Sequence, residues 1–181
     1  MKKLFFALVC FVVSSKLSAQ INKGQWLAGG NINWTSSFNS YYNSNATVIS
    51  FMPDAGYFFI DKLAGGLNLV FNINNPTGND FSTKTYGVSP FIRYYFLPKT
   101  KNLNLFAQAA YGWNRTNGDG LGGSNINSHQ WSFSAGPAFF LNPHVALEFA
   151  LNYTNTAGPD YTNGNPESVG INIGFQIHLG K

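Results

Sequence analysis

The stretch Leu103-Asn104-Leu105-Phe106-Ala107-Gln108-Ala109-Ala110-Tyr111-Gly112-Trp113 decides the fold. Leu103, Leu105, Ala107, Ala109, Tyr111 and Trp113 alternate with Asn104, Phe106, Gln108, Ala110 and Gly112, and a period of two puts the sets on opposite faces of a strand. One face is apolar and ends in aromatics, while the other is mostly small or polar. The same alternation runs through Trp26, Ala28, Gly30, Ile32 and Trp34 against Gln25, Leu27, Gly29, Asn31 and Asn33. It recurs over 49–59, 63–73, 86–96, 131–141, 145–153 and 169–179. The result is eight strands of about ten residues each, the length a tilted strand needs to cross a hydrocarbon layer.

The connections alternate in length: long at 35–46, short at Asp61-Lys62, long at 74–82, short at 97–102, long at 114–128, short at 142–144, long at 154–167. That is the pattern of an all-β, eight-stranded antiparallel up-and-down transmembrane barrel. In such barrels short turns face the periplasm and long loops face outside, which predicts both termini on the periplasmic side. A soluble barrel would turn its apolar face inward and a charged face to water. Here only 10% of residues are charged, well below the roughly 25% of soluble domains, and the polar face is Asn, Ser, Gln and Gly. The apolar face carries aromatics at both ends: Trp34, Phe71, Tyr86, Tyr111, Trp113, Trp131 and Tyr153 at one, Trp26, Tyr57, Phe59, Tyr94, Phe96 and Phe139 at the other. These read as two interfacial girdles.

The N-terminus reads as a cleaved signal peptide over 1–19: Lys2 and Lys3, an apolar run over 4–13, then Leu17-Ser18-Ala19 before Gln20. The barrel domain is then 20–181. Cys10 lies within the apolar run, and Val9 before it is too bulky for a lipid-attachment site. Lys2, Lys3 and Lys16 leave with the leader, so of 11 basic residues 8 remain against 7 acids, and the formal charge of +4 gives no support to nucleic-acid binding.

Three segments share one form: Ser50-Phe51-Met52-Pro53-Asp54-Ala55-Gly56-Tyr57-Phe58-Phe59, Val88-Ser89-Pro90-Phe91-Ile92-Arg93-Tyr94-Tyr95-Phe96, and Ala135-Gly136-Pro137-Ala138-Phe139-Phe140-Leu141. Each is a strand descending into a short turn. On these the chain resembles the OmpA/OmpX-like outer-membrane β-barrel proteins over 20–181. The resemblance implies the bacterial outer membrane, outer-membrane lipids and lipopolysaccharide as surroundings, the barrel-assembly machinery as a transient partner, and a monomer. It leaves activity open, because the fold hosts adhesins, stabilising proteins, small channels and lipid-modifying enzymes. The family's usual terminal aromatic is replaced by Lys181. Pro53, Pro90 and Pro137 lack a ladder donor in mid-strand, which predicts local bulges beside them.

Parity directs Arg93, Glu148, Asp54, Gln108, Gln176 and His178 into the lumen, among Asn31, Asn68, Asn104, Asn152 and Asn172. Arg93 and Glu148 stand at similar depth, an ion pair tying the walls together rather than a gate. An acyl hydrolase would need His, Ser and a carboxylate together at the rim. His129 lies near Ser128 and Ser132, but its parity points it outward and Ser132 inward. His144 sits in a turn, too far from His129 and His178 for a metal site. The loop Asn117-Gly118-Asp119-Gly120-Leu121-Gly122-Gly123-Ser124 lacks the endings of a phosphate or calcium loop. No cofactor is called for. The expected function is structural or surface-interacting and non-enzymatic, with Phe38, Tyr41, Tyr42 and Tyr161 as loop contact residues; a small channel is the alternative and a lipid-modifying enzyme the second alternative.

Overall fold

The structure, a computed structural model, describes residues 21–39, 44–77, 82–98, 101–118, 125–159 and 167–180, with side chains defined except at 33–39, 44–48 and 75–77. The expected leader, Cys10, Tyr41, Tyr42, Tyr161 and the glycine-rich stretch beyond Gly118 lie outside the described residues, as do the side chains of Trp34 and Phe38. Eight strands form one closed barrel in chain order: β1 (Trp26–Asn39), β2 (Ser44–Ile60), β3 (Leu63–Thr77), β4 (Thr83–Tyr95), β5 (Leu103–Gly118), β6 (Ile126–Asn142), β7 (Val145–Ala157) and β8 (Glu167–Leu179). Each strand is antiparallel to its chain neighbours, and β1 pairs β8 to close the ring.

The alternation sets which face looks out. Ile32, Leu151 and Ile171 are 64%, 60% and 70% exposed on the outer wall, whereas Leu27, Phe58 and Tyr95 are fully buried inside. Outer rings meet along and across strands as girdles. Trp26 packs on Tyr57 at 5.3 Å and Tyr94 on Phe96 at 5.1 Å at the end carrying the 61–62 and 143–144 turns; Tyr111 packs on Trp131 at 4.5 Å and on Trp113 at 5.1 Å at the opposite end. We call these the turn end and the loop end.

The register gives the barrel its shape. A walk from Ala146 across cross-strand partners passes Gln176, Gly29, Asp54, Asn68 and Ser89. Continuing in register it crosses Gly112, Gln130 and Thr156, so one circuit climbs from 146 to 156 along β7. Such a stagger goes with strands tilted by about 45° and a lumen that side chains can fill.

Two expectations are corrected. The strands run past the apolar band: β5 continues from Trp113 to Gly118 and β6 starts at Ile126, because backbone pairing does not depend on hydropathy and polar pairs such as Thr85 Oγ1 to Thr116 Oγ1 at 2.8 Å extend the ladder. The connections shrink accordingly, and strict alternation of long and short is lost: residues 96–102 at the turn end outnumber residues 40–43 at the loop end.

No bulge lies beside Pro53, Pro90 or Pro137. Each keeps its partner on one side (Gly30, Leu67 and Leu105). On the other side the ladder skips the proline and the residue before it and resumes in unchanged register. A missing N–H interrupts two paired positions and inserts no extra residue. The bulges sit lower, between Phe58 and Ile60 and between Phe140 and Asn142, where strands enter two-residue turns. In the first of these turns Lys62 takes φ 69°.

The segment 21–25 folds under the turn end. Ile21 is fully buried, its carbonyl accepts from Lys62 N at 2.9 Å, and Lys23 N donates to Asp61 Oδ1 at 2.8 Å.

Candidate functional site

The lumen is layered from the turn end upward. The lowest layer is made of rings: His178 packs on Phe140 at 5.2 Å, on Phe58 at 5.7 Å and on Tyr95 at 5.8 Å, and Tyr95 packs on Phe106 at 6.1 Å. Ile21 and Leu27 close the gaps, both fully buried. Asn104 binds the 96–102 connection, its Oδ1 accepting from Leu97 N at 2.8 Å and its Nδ2 donating to Leu97 O at 3.1 Å.

Above the rings lies an ionic cluster. Arg93 enters from β4, donating from Nε to Gln108 Oε1 at 2.8 Å and from Nη1 to the Glu148 carboxylate at 3.2 and 3.3 Å. Tyr95 donates its hydroxyl to Glu148 Oε1 at 3.0 Å, and Asp54 Oδ2 lies 4.0 Å from Arg93 Nη2. Gln176 Nε2 donates to the same Asp54 Oδ2 at 2.7 Å. The Arg93 guanidinium also stands over Phe106, 5.0 Å from the ring centre, so its apolar face is covered as well as its edges. Five strands contribute: β2, β4, β5, β7 and β8.

The third layer is a polar cavity of about 430 Å³ open above the cluster. Asn31, Asn68, Asn72, Asn152 and Asn172 line it with Ser50, Ser89, Ser132, Ser134 and Gln130, and among the described residues Asp54, Arg93 and Glu148 are its only charged lining. Gly29 and Gly112 face long or polar neighbours: a Cβ on Gly29 would strike Gln176 Oε1 at 2.5 Å, and one on Gly112 would meet Ser89 Oγ.

Five of the residues directed inward by parity, Arg93, Glu148, Asp54, Gln108 and Gln176, thus meet in one network. His178 stands one layer lower, among the rings. Tyr95 was missed, although it shares parity with Arg93 and parity alone would have found it. The inner face is not uniformly polar either, since its lower part is aromatic. His129 lies on the outer wall, its ring 6.0 Å from that of Tyr111, while Ser132 lines the cavity, so the two are on opposite faces. His144 Nδ1 is 3.1 Å from His178 O at the turn end. Among the described residues no group of three His, Cys, Asp or Glu side chains is placed to hold a metal ion.

Comparison with known proteins returns a family model, the outer membrane protein beta-barrel domain, matching residues 5–178. Solved structures share the fold. Neisserial surface protein A is 21% identical over 86% of this chain and 95% of its own, with a TM-score of 0.60. The N-terminal β-barrel domain of Pseudomonas aeruginosa OprF is 10% identical over 87% of this chain and 98% of its own, with a TM-score of 0.53. The comparison with curated proteins returned no match.

Proposed function

The chain belongs to the outer membrane protein beta-barrel domain family, and from that premise we propose that it is a non-enzymatic, non-conducting barrel of the bacterial outer membrane with a structural or surface-interaction role. The observation that carries this is the blocked lumen. Rings from β2, β4, β6 and β8 and the buried Ile21 close the turn end, and the Arg93 cluster lies across the lumen above them. An ion would have to displace a paired guanidinium and then a dry aromatic layer, and both barriers are high. The same blocked interior stiffens the wall, since Arg93 links β4 to β5 and β7. Short turns and both termini face the periplasm in this reading, as in barrels of this kind. A lipid-modifying reading is disfavoured by His129 and Ser132 standing on opposite faces.

The test is conductance. The mature protein is refolded, its folding verified by different gel migration of unboiled and heated samples, and reconstituted in planar bilayers. Silence is expected both for wild type and for Arg93→Ala, because the ring layer remains in the variant. Reproducible single-channel steps in the wild type would overturn the reading.

A further inference from the structure

The polar cavity is not electrically balanced. Two carboxylates, Asp54 and Glu148, share one guanidinium, so among the described residues the lining carries one formal negative charge in excess. Arg93 is committed: its Nε and Nη1 are bonded to Gln108, Glu148 and Tyr95, and Asp54 is only at the 4.0 Å margin of Nη2. A buried carboxylate without full compensation is costly.

The unpartnered atoms that belong to the cavity lining are all oxygens able to accept a hydrogen bond. Among the described residues Asp54 Oδ1, Gln176 Oε1, Ser89 Oγ and Asn72 Oδ1 are buried without a hydrogen-bond partner. All four residues line the cavity; Gln176 is 2% exposed, Ser89 3%, and the Asp54 side chain 5%. Gln176, Asp54 and Ser89 lie on one register row, Gln176–Gly29–Asp54–Asn68–Ser89, and Gln176 is bonded directly to Asp54. Each offers an acceptor. The missing complement is a donor with positive charge, which describes an ammonium group: three N–H donors, no acceptor.

Two routes reach this point. One is from above, through the loop end. The other is through the wall, because the pairing of β1 with β8 ends at Asn31↔Gly174 while β8 continues up to Glu167. Ser168, Val169 and Gly170 of that free stretch line the cavity, although Val169 is also 70% exposed on the outer wall. The seam between β1 and β8 therefore joins the cavity to the lipid-facing surface.

We propose that this cavity is a binding site for a protonated primary amine, seated on Asp54 Oδ1 beside Gln176 Oε1. The amine belongs either to a small water-soluble molecule entering from the loop end or to an amphiphile whose chain lies in the seam. The cavity volume suits a group of that size.

The test uses the full mature barrel in phosphatidylcholine nanodiscs, with binding read by calorimetry. The probes are n-propylamine and dodecylamine, with n-propanol and propionate as isosteric controls. Saturable binding of an amine, without binding of the alcohol or the carboxylate, is expected, and Asp54→Asn weakens it by about a hundredfold. Saturation by propylamine assigns entry from water; saturation by dodecylamine alone assigns entry through the seam. No saturable amine binding, equal binding of propanol, or undiminished affinity in a folded Asp54→Asn barrel would overturn the proposal. The amine-versus-alcohol contrast is measured on wild type, so it stands even where the variant fails to fold.

Discussion

Arg93 shows how much a single position can hold in a barrel. Its charge is surrounded by Glu148, Asp54, Gln108 and Tyr95 with almost no water, at 4% exposure. Arg93→Ala leaves two carboxylates buried together, and we expect it to lower the unfolding free energy by about 3–5 kcal/mol, read from the urea midpoint of the heat-modifiable band. Replacing both partners, Arg93→Met with Glu148→Leu, should restore most of that loss; a double variant as weak as the single one would show that the pair acts through something other than uncompensated charge. Gly29 is the opposite case, a residue whose use is its lack of a side chain. Gly29→Leu should destabilise by about 1–3 kcal/mol, because its Cβ would meet Gln176 and the Phe175 carbonyl. At this scale the sequence was partly legible. Parity found Arg93, Glu148, Asp54, Gln108 and Gln176 because each is polar at an inward position. Tyr95 has the same inward parity but is aromatic, like the girdle residues Tyr94 and Phe96 on either side, so a search for polar inward residues passes over it; parity also cannot show that His178 settles among rings one layer down.

Among the elements, strand existence was legible and strand extent was not. The period-two signal needs an apolar partner set, so it faded near Trp113 and Tyr153, where hydropathy ends but pairing continues to Gly118 and Ala157. The prolines are legible in the sequence but their consequence is not: loss of one donor leaves two paired positions unmade and keeps register, with no inserted residue. That loss is measurable. In Pro90→Ala a restored N–H adds a rung worth about 0.5–1.5 kcal/mol, offset by about 0.4–1 kcal/mol of extra unfolded-state entropy. Equilibrium stability should therefore move by less than about 1 kcal/mol; a loss above about 2 kcal/mol would mean that the proline ring itself carries packing. The seam is testable in the same way. Asn31→Cys with Gly174→Cys, the last paired position, should form a disulfide on mild oxidation, while Ile32→Cys with Ile173→Cys, one step higher, should not. Cross-linking of the upper pair with the same yield would show that the seam is closed.

For the molecule as a whole, closure was foreseeable because apolar outer faces at both girdles leave no place for an open sheet in hydrocarbon. The shortness of the closing contact was not, since nothing in β1 or β8 alone announces where they part. That contact also sets the order of events in the life of the chain. Every other pairing joins neighbours in sequence, whereas Trp26↔Leu179 joins positions near the two extremes, so it carries the largest loop-closure entropy and the fewest rungs to offset it. The barrel cannot close until its last strand is made, and up to that moment seven finished strands present two unsatisfied edges. The chain is thus at its most adhesive just before completion, and the six rungs from Trp26 to Asn31 are the step that turns an aggregation-prone ribbon into an inert wall.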